Sequence, residues 1–350
     1  VVTLKKSMGI PWGYNESIAR ARGVYFARLD GDDCWEPQKL EKQVSILDRK
    51  INVGAVATWV NVIDKNGKFL SEEQSNGRLN HFNSKNRSQA EWLSTLFFEK
   101  SRLNHPSMLV RADLMEEIGG YNFAYRQLPD YDIWIKIAKK MDIYMIEEPL
   151  INYRWDGTNE SFFSFEVMNR SHFELFDILT NFFDDIEDNL FVDAFSNAFT
   201  SGDYQDRDFL NFQKIMLLYN YKPESEIGKI VGLKKIFQLY NDSEKRESII
   251  SKFGLSPYKL SEMASVPLFA NFVINDKGES AVDFIKDQKQ YTESLVKLND
   301  YYKKVINSYE IEKQEAAVEN HKLNSKIESA VNELKEIKNS RWYKLFGKKE

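Results

Sequence analysis

The chain has one cysteine, Cys34, in 350 residues. No internal disulfide can form, which fits a reducing compartment. Cys34 itself reads as a small residue at a strand end, not as a nucleophile, because no base stands beside it. Long apolar runs are equally scarce: none approaches the roughly 18 residues of a membrane span. An excess of positive charge is missing too. The formal net charge is −5, and no basic stretch precedes the C-terminal end, which argues against nucleic acid as the main partner. No glycine-rich loop ends in Lys-Ser or Lys-Thr, so the usual phosphate cradle of nucleotide-hydrolysing proteins is not written here.

What is present is apolar and aromatic residue. With 42% hydrophobic and 14% aromatic content, the chain can bury a well-packed core, and its length suits two or three domains. In the first half, short strands alternate with helices. Residues from Lys5 to Tyr14 are punctuated by glycine and proline and read as a loop. A short helix over Asn15 to Arg22, capped by Asn15, stops at Gly23, and a strand follows from Val24 to Leu29. A helix is expected from Gln38 to Leu47, then a strand from Val53 to Val62. The Asn66-Gly67 turn should fold Lys68-Phe69-Leu70 back along that strand as a hairpin. Residues 71–88 are polar and read as loop; Ala90 to Phe98 is helical. Asn104 to Arg111 is an extended entry into a strand, and Asp113 to Ile118 is a helix with Gly119 as its left-handed stop. Ile133, Trp134, Ile137 and Ala138 keep helical spacing, which puts Asp130 and Asp132 at a helix N-terminus. Strands at Ile143 to Ile146 and around Pro149 to Trp155 close the half.

The organising stretch is Arg28-Leu29-Asp30-Gly31-Asp32-Asp33. Three carboxylates fall within four residues at the carboxyl end of a strand, a usual ligand position in α/β sheets. Oxygen-only ligands of this kind suit Mg²⁺ or Mn²⁺, which bind through one or two carboxylates together with substrate phosphates. A solvated turn, with Asp33 or Glu36 capping the next helix, is the equal alternative.

Taken in order, six pieces resemble the family 2 type of bacterial glycosyltransferases with a GT-A nucleotide-sugar fold. They are Asn15 with Ala21 to Asp33, Trp35-Glu36-Pro37, His105-Pro106-Ser107 with Arg111, Gly119-Gly120-Tyr121, Asp130 to Trp134, and Tyr153-Arg154. The resemblance implies that Asp30 and Asp32 match the DxD element, which holds Mn²⁺ or Mg²⁺ on the donor diphosphate. Asp130 matches the base that takes the acceptor proton, with inversion at the sugar. Asn15, Arg22, His105, Asp132, Trp134 and Arg154 are the implied substrate-binding positions. The resemblance also implies that the opening βα units of the family precede Val1, which would leave a sheet edge exposed. Two positions depart from the family pattern: Pro129 stands where a glutamate is common, and Trp155-Asp156 where a histidine is common.

Beyond Ser161 the apolar spacing turns helical, without a fixed repeat. From Tyr291 to Lys338 the segment lacks glycine and carries an interrupted heptad, which supports a coiled coil or a long amphipathic helix, with a homodimer as the expectation. Arg341 to Lys349 mixes basic and large apolar residues; it can rest on an anionic membrane face or dock on its own protein. The expected organisation is therefore an N-terminally truncated α/β GT-A domain over residues 1–158 and a helical domain over 159–290. A coiled coil or long helix over 291–338 and a tail over 339–350 complete it. The expected function is a metal-dependent inverting transfer of sugar from a nucleotide-diphosphate donor to a glycan or lipid-linked acceptor. Bacterial surface polysaccharide synthesis, in the cytoplasm or at the inner membrane face, is the expected setting. The alternatives are a catalytically incomplete oligomerising scaffold and another nucleotide-dependent transferase.

Overall fold

The computed structural model describes residues 8–155, 165–199, 202–222 and 226–265, with single positions 329, 332 and 333 beyond. Residues 1–7, nearly all of the heptad segment and the basic tail lie outside the described residues. The strands are β1 (Tyr25–Ala27), β2 (Cys34–Trp35), β3 (Val53–Ile63), β4 (Leu109–Arg111) and β5 (Asp142–Arg154). Among the described residues they form one sheet in the order β1-β4-β3-β5-β2. β3 and β5 run parallel and the remaining pairs antiparallel. The centre of the sheet follows from composition. β3 reads Val-Gly-Ala-Val-Ala-Thr-Trp-Val-Asn-Val-Ile and is buried almost throughout, as a strand covered on both faces must be. The hairpin after β3 forms as expected: Ile63 bridges Phe69, and the Leu70 N–H donates to the Val62 carbonyl at 2.8 Å.

The helices of this half are α1 (Ile10–Arg20), α2 (Lys39–Arg49), α3 (Arg78–Phe82), α4 (Gln89–Glu99), α5 (Ala112–Glu117) and α6 (Pro129–Lys140). Two differ from expectation. α1 starts five residues before the predicted cap, because Gly9 at φ +96° turns the chain and Pro11 suits a first helical turn. Asn15 is thus mid-helix and caps nothing. The polar stretch 71–88 contains α3, which at five residues is too short to show a hydrophobic period. Also missed are the 3-10 turn His105–Ser107, started by Pro106, and the two-residue edge strand β2. Neither Asp33 nor Glu36 caps α2. Its N-cap is Gln38, without a side-chain bond, and Glu36 instead accepts from Asn152 at 2.9 Å. Gly119 is left-handed, as its place after α5 requires.

The second region contains α7 (Phe165–Asn181), α8 (Asp188–Phe195), α9 (Arg207–Tyr219), α10 (Glu226–Tyr240), α11 (Ser243–Phe253) and α12 (Pro257–Ala264). It shares its apolar interior with the sheet layer. Phe97 of α4 meets Phe182, Phe183, Phe195 and Tyr221 with ring centres 5.0–5.5 Å apart. Edge-to-face contacts of this kind add to the burial of large rings.

A polar brace runs through the α2–β3 layer. Gln43 is fully buried, and its Nε2 donates to the carbonyls of Val56 and Ser107, both at 2.8 Å. The Lys39 ammonium, also fully buried, donates to Gln43 Oε1 at 2.9 Å and lies 4.4 Å from the Trp35 ring centre. These bonds fasten the turn that carries His105 to the central strand. Burial lowers Lys39 from 10.5 to about 7. Between these values the unfolded chain holds a proton that the folded protein has lost, so stability should rise as pH climbs from 7 to 10. Urea unfolding should show wild type gaining roughly 2–4 kcal/mol relative to Lys39→Met across that range. A constant difference between the two would mean that Lys39 stays charged when folded.

Candidate functional site

The acidic turn leaves β1 at Ala27 and is closed by the Asp33 N–H bonding the Asp30 carbonyl at 3.2 Å. Its first residue, Arg28, is the node of the site. The guanidinium is mostly buried and grips Asp30 at both oxygens, Nε to Oδ1 at 2.9 Å and Nη2 to Oδ2 at 3.0 Å. It also donates to the Tyr14 hydroxyl and to His105 Nδ1, and lies 4.1 Å from the Tyr14 ring centre. Arginine has only donors, so Nδ1 of His105 must accept and the ring proton belongs on Nε2, 2.7 Å from the Tyr121 hydroxyl. Burial and the Arg28 charge hold His105 well below its usual range, consistent with a neutral ring. Burial pushes Tyr14 up to about 12, against the pull of Arg28.

Asn15 shapes the opposite wall. Its carboxamide donates to the Tyr121 carbonyl at 2.7 Å and accepts the Tyr121 N–H at 2.9 Å. It does so beside Gly120, whose φ is +64° and where a Cβ would come within 2.6 Å of Asn15 Oδ1. Only glycine suits that position. Asn15 is therefore a fastener between α1 and the loop after α5. Arg22 is exposed and, with Asn15, Trp12, Asp48 and Phe123, lines a groove of about 1180 Å³. A second groove of about 670 Å³ adjoins it and is lined by Tyr14, Arg28, Asp30, Met108 and Tyr121.

The other acids divide by environment. Asp32 is exposed, and among the described residues its carboxylate has no bonded partner. Asp33 is buried, accepts the Arg154 N–H at 2.8 Å, and keeps Oδ2 without a hydrogen bond. Burial pushes it up to about 7. Arg154 fastens the turn to the end of β5, with Nε donating to the Asp32 carbonyl at 2.8 Å and Nη1 to the Asp64 carbonyl. Asp130, in the first turn of α6, accepts the Tyr131 N–H at 2.9 Å. Burial raises its pKa, opposed by that N–H and by the charge of Arg28. Asp30 and Asp130 are thus both tied electrostatically to one arginine.

Three of the predicted substrate-binding positions lie in the interior. Trp134 is wholly buried within the core, 6.4 Å from the His105 ring, so its face is not open to a sugar. Asp132 is buried and paired with Lys136 Nζ at 2.8 Å, one turn along α6, and so serves the helix. His105 is likewise a buried structural partner of Arg28. The sequence reading missed Arg28, Tyr14 and Tyr121 as site residues; the arginine two places before Asp30 was the available signal.

Among the described residues no group of three or more His, Cys, Asp or Glu side chains forms a ready metal cage. The free Asp32 carboxylate, next to the orphaned Asp33 Oδ2 and near Asp30, does suit an ion that draws its remaining ligands from phosphates and water. The residues fit an ion delivered with a diphosphate.

A mixed sheet bearing an acidic turn off an edge strand, with a half-buried carboxylate in the first turn of α6, defines an α/β protein. Residues 1–112 match the family model for glycosyl transferase family 2. An uncharacterized glycosyltransferase of Methanocaldococcus jannaschii is 31% identical over 151 residues, covering 43% of this chain and 48% of the relative. The O-antigen biosynthesis glycosyltransferase WbnJ of Escherichia coli is 24% identical over 162 residues, 46% of this chain and 55% of that one. The chain thus spans about half the length of these two relatives. Staphylococcus aureus TarS 1-349, solved in complex with UDP-GlcNAc, is similar at 12% identity over 67% of this chain and 63% of its own, with a TM-score of 0.40. Among the described residues no helix is long and apolar enough to cross a membrane.

Removing Arg28 should cost stability, because Asp30, Tyr14 and His105 would all lose a bonded partner in a largely buried place. Arg28→Met is expected to lower the unfolding free energy by about 3 kcal/mol in urea titration. A loss under about 1 kcal/mol would show that the network is incidental.

Proposed function

We propose that the protein transfers a sugar from a nucleotide-diphosphate donor to a hydroxyl of a glycan or lipid-linked acceptor, with inversion, in surface polysaccharide synthesis. The observation that carries this reading is the division of labour among the carboxylates: Asp32 is exposed and unpartnered, while Asp130 is half-buried with its pKa raised, and Arg28 bears on the acidic turn and on Asp130 alike. The family 2 match supports it, as does the O-antigen role in the name of the Escherichia coli relative.

In this reading Asp32, with Asp30 beside it, holds Mn²⁺ or Mg²⁺ together with the donor diphosphate. When bound, the ion supplies charge stabilisation for the departing diphosphate. Arg28 keeps Asp30 in place at both oxygens, and Arg154 keeps the turn fastened at the Asp32 carbonyl. Asp130 removes the acceptor proton as the oxygen attacks the anomeric carbon; the raised affinity of its carboxylate for a proton makes it a better base than an exposed aspartate. The first turn of α6 orients that carboxylate through the Tyr131 N–H. The proposed division is a catalytic α/β part over 1–158, followed by a helical part that shapes the acceptor side, with dimerisation through the heptad segment and membrane contact through the tail.

The test is turnover of a panel of nucleotide sugars, with and without Mn²⁺, for wild type, Asp32→Ala and Asp130→Asn. Asp130→Asn should lose about 10²–10⁴-fold in kcat, the usual share of a general base. Asp32→Ala should lose its dependence on Mn²⁺ along with its activity. Metal-independent turnover that survives both substitutions would exclude this assignment.

A further inference from the structure

We propose that Glu174 of α7 is a positioning residue for Asp130, so that the helical region sets the geometry of the base. This rests on the reading of Asp130 given above.

Glu174 is 7% exposed, and a carboxylate buried so far needs bonded partners. Its partners are three consecutive backbone N–H groups. Oε1 accepts from Arg126 at 2.8 Å, and Oε2 accepts from Gln127 at 2.8 Å and Leu128 at 2.7 Å. Those residues lead directly into Pro129 and Asp130. The N-cap of α6 is Leu128, which has no side-chain oxygen to offer, so the start of α6 lacks an ordinary cap. A carboxylate from another element takes over the amides there. Charge-assisted bonds of this type are shorter and stronger than neutral ones.

A second bond from the same helix supports the first. Asp177, one turn beyond Glu174, accepts from the Tyr125 hydroxyl at 2.6 Å. α7 is itself fixed by Leu175, Ile178 and Leu179, which are buried in the shared core. The chain from residue 125 to 128 is therefore clamped at four points to a rigid helix, two residues from Asp130. Glu174 is also among the charges that raise Asp130. A base displaced by about 1 Å can lose on the order of 10²-fold in rate, so this clamp bears on catalysis as well as on folding.

The test uses the full chain with Glu174→Gln, Glu174→Ala and Asp130→Asn. In Glu174→Gln the amide NH₂ must face at least one of the three N–H donors, so the clamp is broken with little change in volume. Amide hydrogen exchange at residues 126–128 should quicken, and the titration midpoint of the Asp130 carboxyl, followed by carbon NMR, should fall as the like charge of Glu174 is removed. In turnover, kcat should fall about 10-fold or more while donor affinity stays within about two-fold. Glu174→Ala should give the same pattern with a larger loss, and Glu174→Gln carries the test if that variant fails to fold. Faster exchange with an unmoved Asp130 midpoint and wild-type kcat would make Glu174 a purely structural residue and overturn the proposal. If Asp130→Asn is fully active, the reading of Asp130 falls and the proposal falls with it. If Asp130→Asn is dead and Glu174→Gln is unimpaired, the proposal alone falls.

Discussion

The site depends on keeping a positive charge buried. Arg28 sits at the end of an edge strand with its guanidinium 14% exposed, and every other feature of the acidic turn is arranged to make that tolerable. Asp30 supplies the opposite charge with both oxygens, and Tyr14 and a neutral His105 each accept a further donor. A guanidinium cannot shed its proton, so such a network must be complete or costly. These bonds hold Asp30 against Arg28 before any ligand arrives. The same charge opposes the effect of burial on Asp130, which would otherwise hold its proton more firmly.

Around this node the molecule uses backbone-directed side chains as fasteners. Gln43 holds the His105 turn against β3, Asn15 holds the Tyr121 loop against α1, Arg154 holds the acidic turn against β5, and Glu174 holds the approach to α6 against α7. Each joins elements far apart in sequence at the places where loops meet the site. Loops need such bonds because their backbone groups have no ladder partners of their own. The second region is built on different physics, a seam of packed aromatic rings that ties α7 to the sheet layer through Phe97. That seam gives Glu174 a firm base.

Much of this was legible in the sequence. The apolar runs located β3, β5 and α6, the Asn66-Gly67 pair located the hairpin, and the acidic turn was found where β1 ends. What escaped had no local signal. Pro11 was read as loop punctuation although it fits a first helical turn, and α3 is too short to show a period. Trp134 looked available because a helical face cannot reveal, from sequence, how many layers cover it; here it is buried completely. Arg28 and Glu174 were missed for a related reason. Their importance lies in bonds to residues 77 and about 50 positions away, and such pairings exist only after folding.

The central claim is that the acidic turn is a half-site, completed by a diphosphate. Direct titration of Mn²⁺ by electron paramagnetic resonance, with and without nucleoside diphosphates such as UDP, GDP and TDP, tests it most simply. The account predicts weak binding of the ion alone and a gain of at least about 10-fold when a diphosphate is present, since the turn supplies only one or two carboxylates. Tight binding of Mn²⁺ by the protein alone, or diphosphate binding unchanged when the ion is chelated, would contradict it.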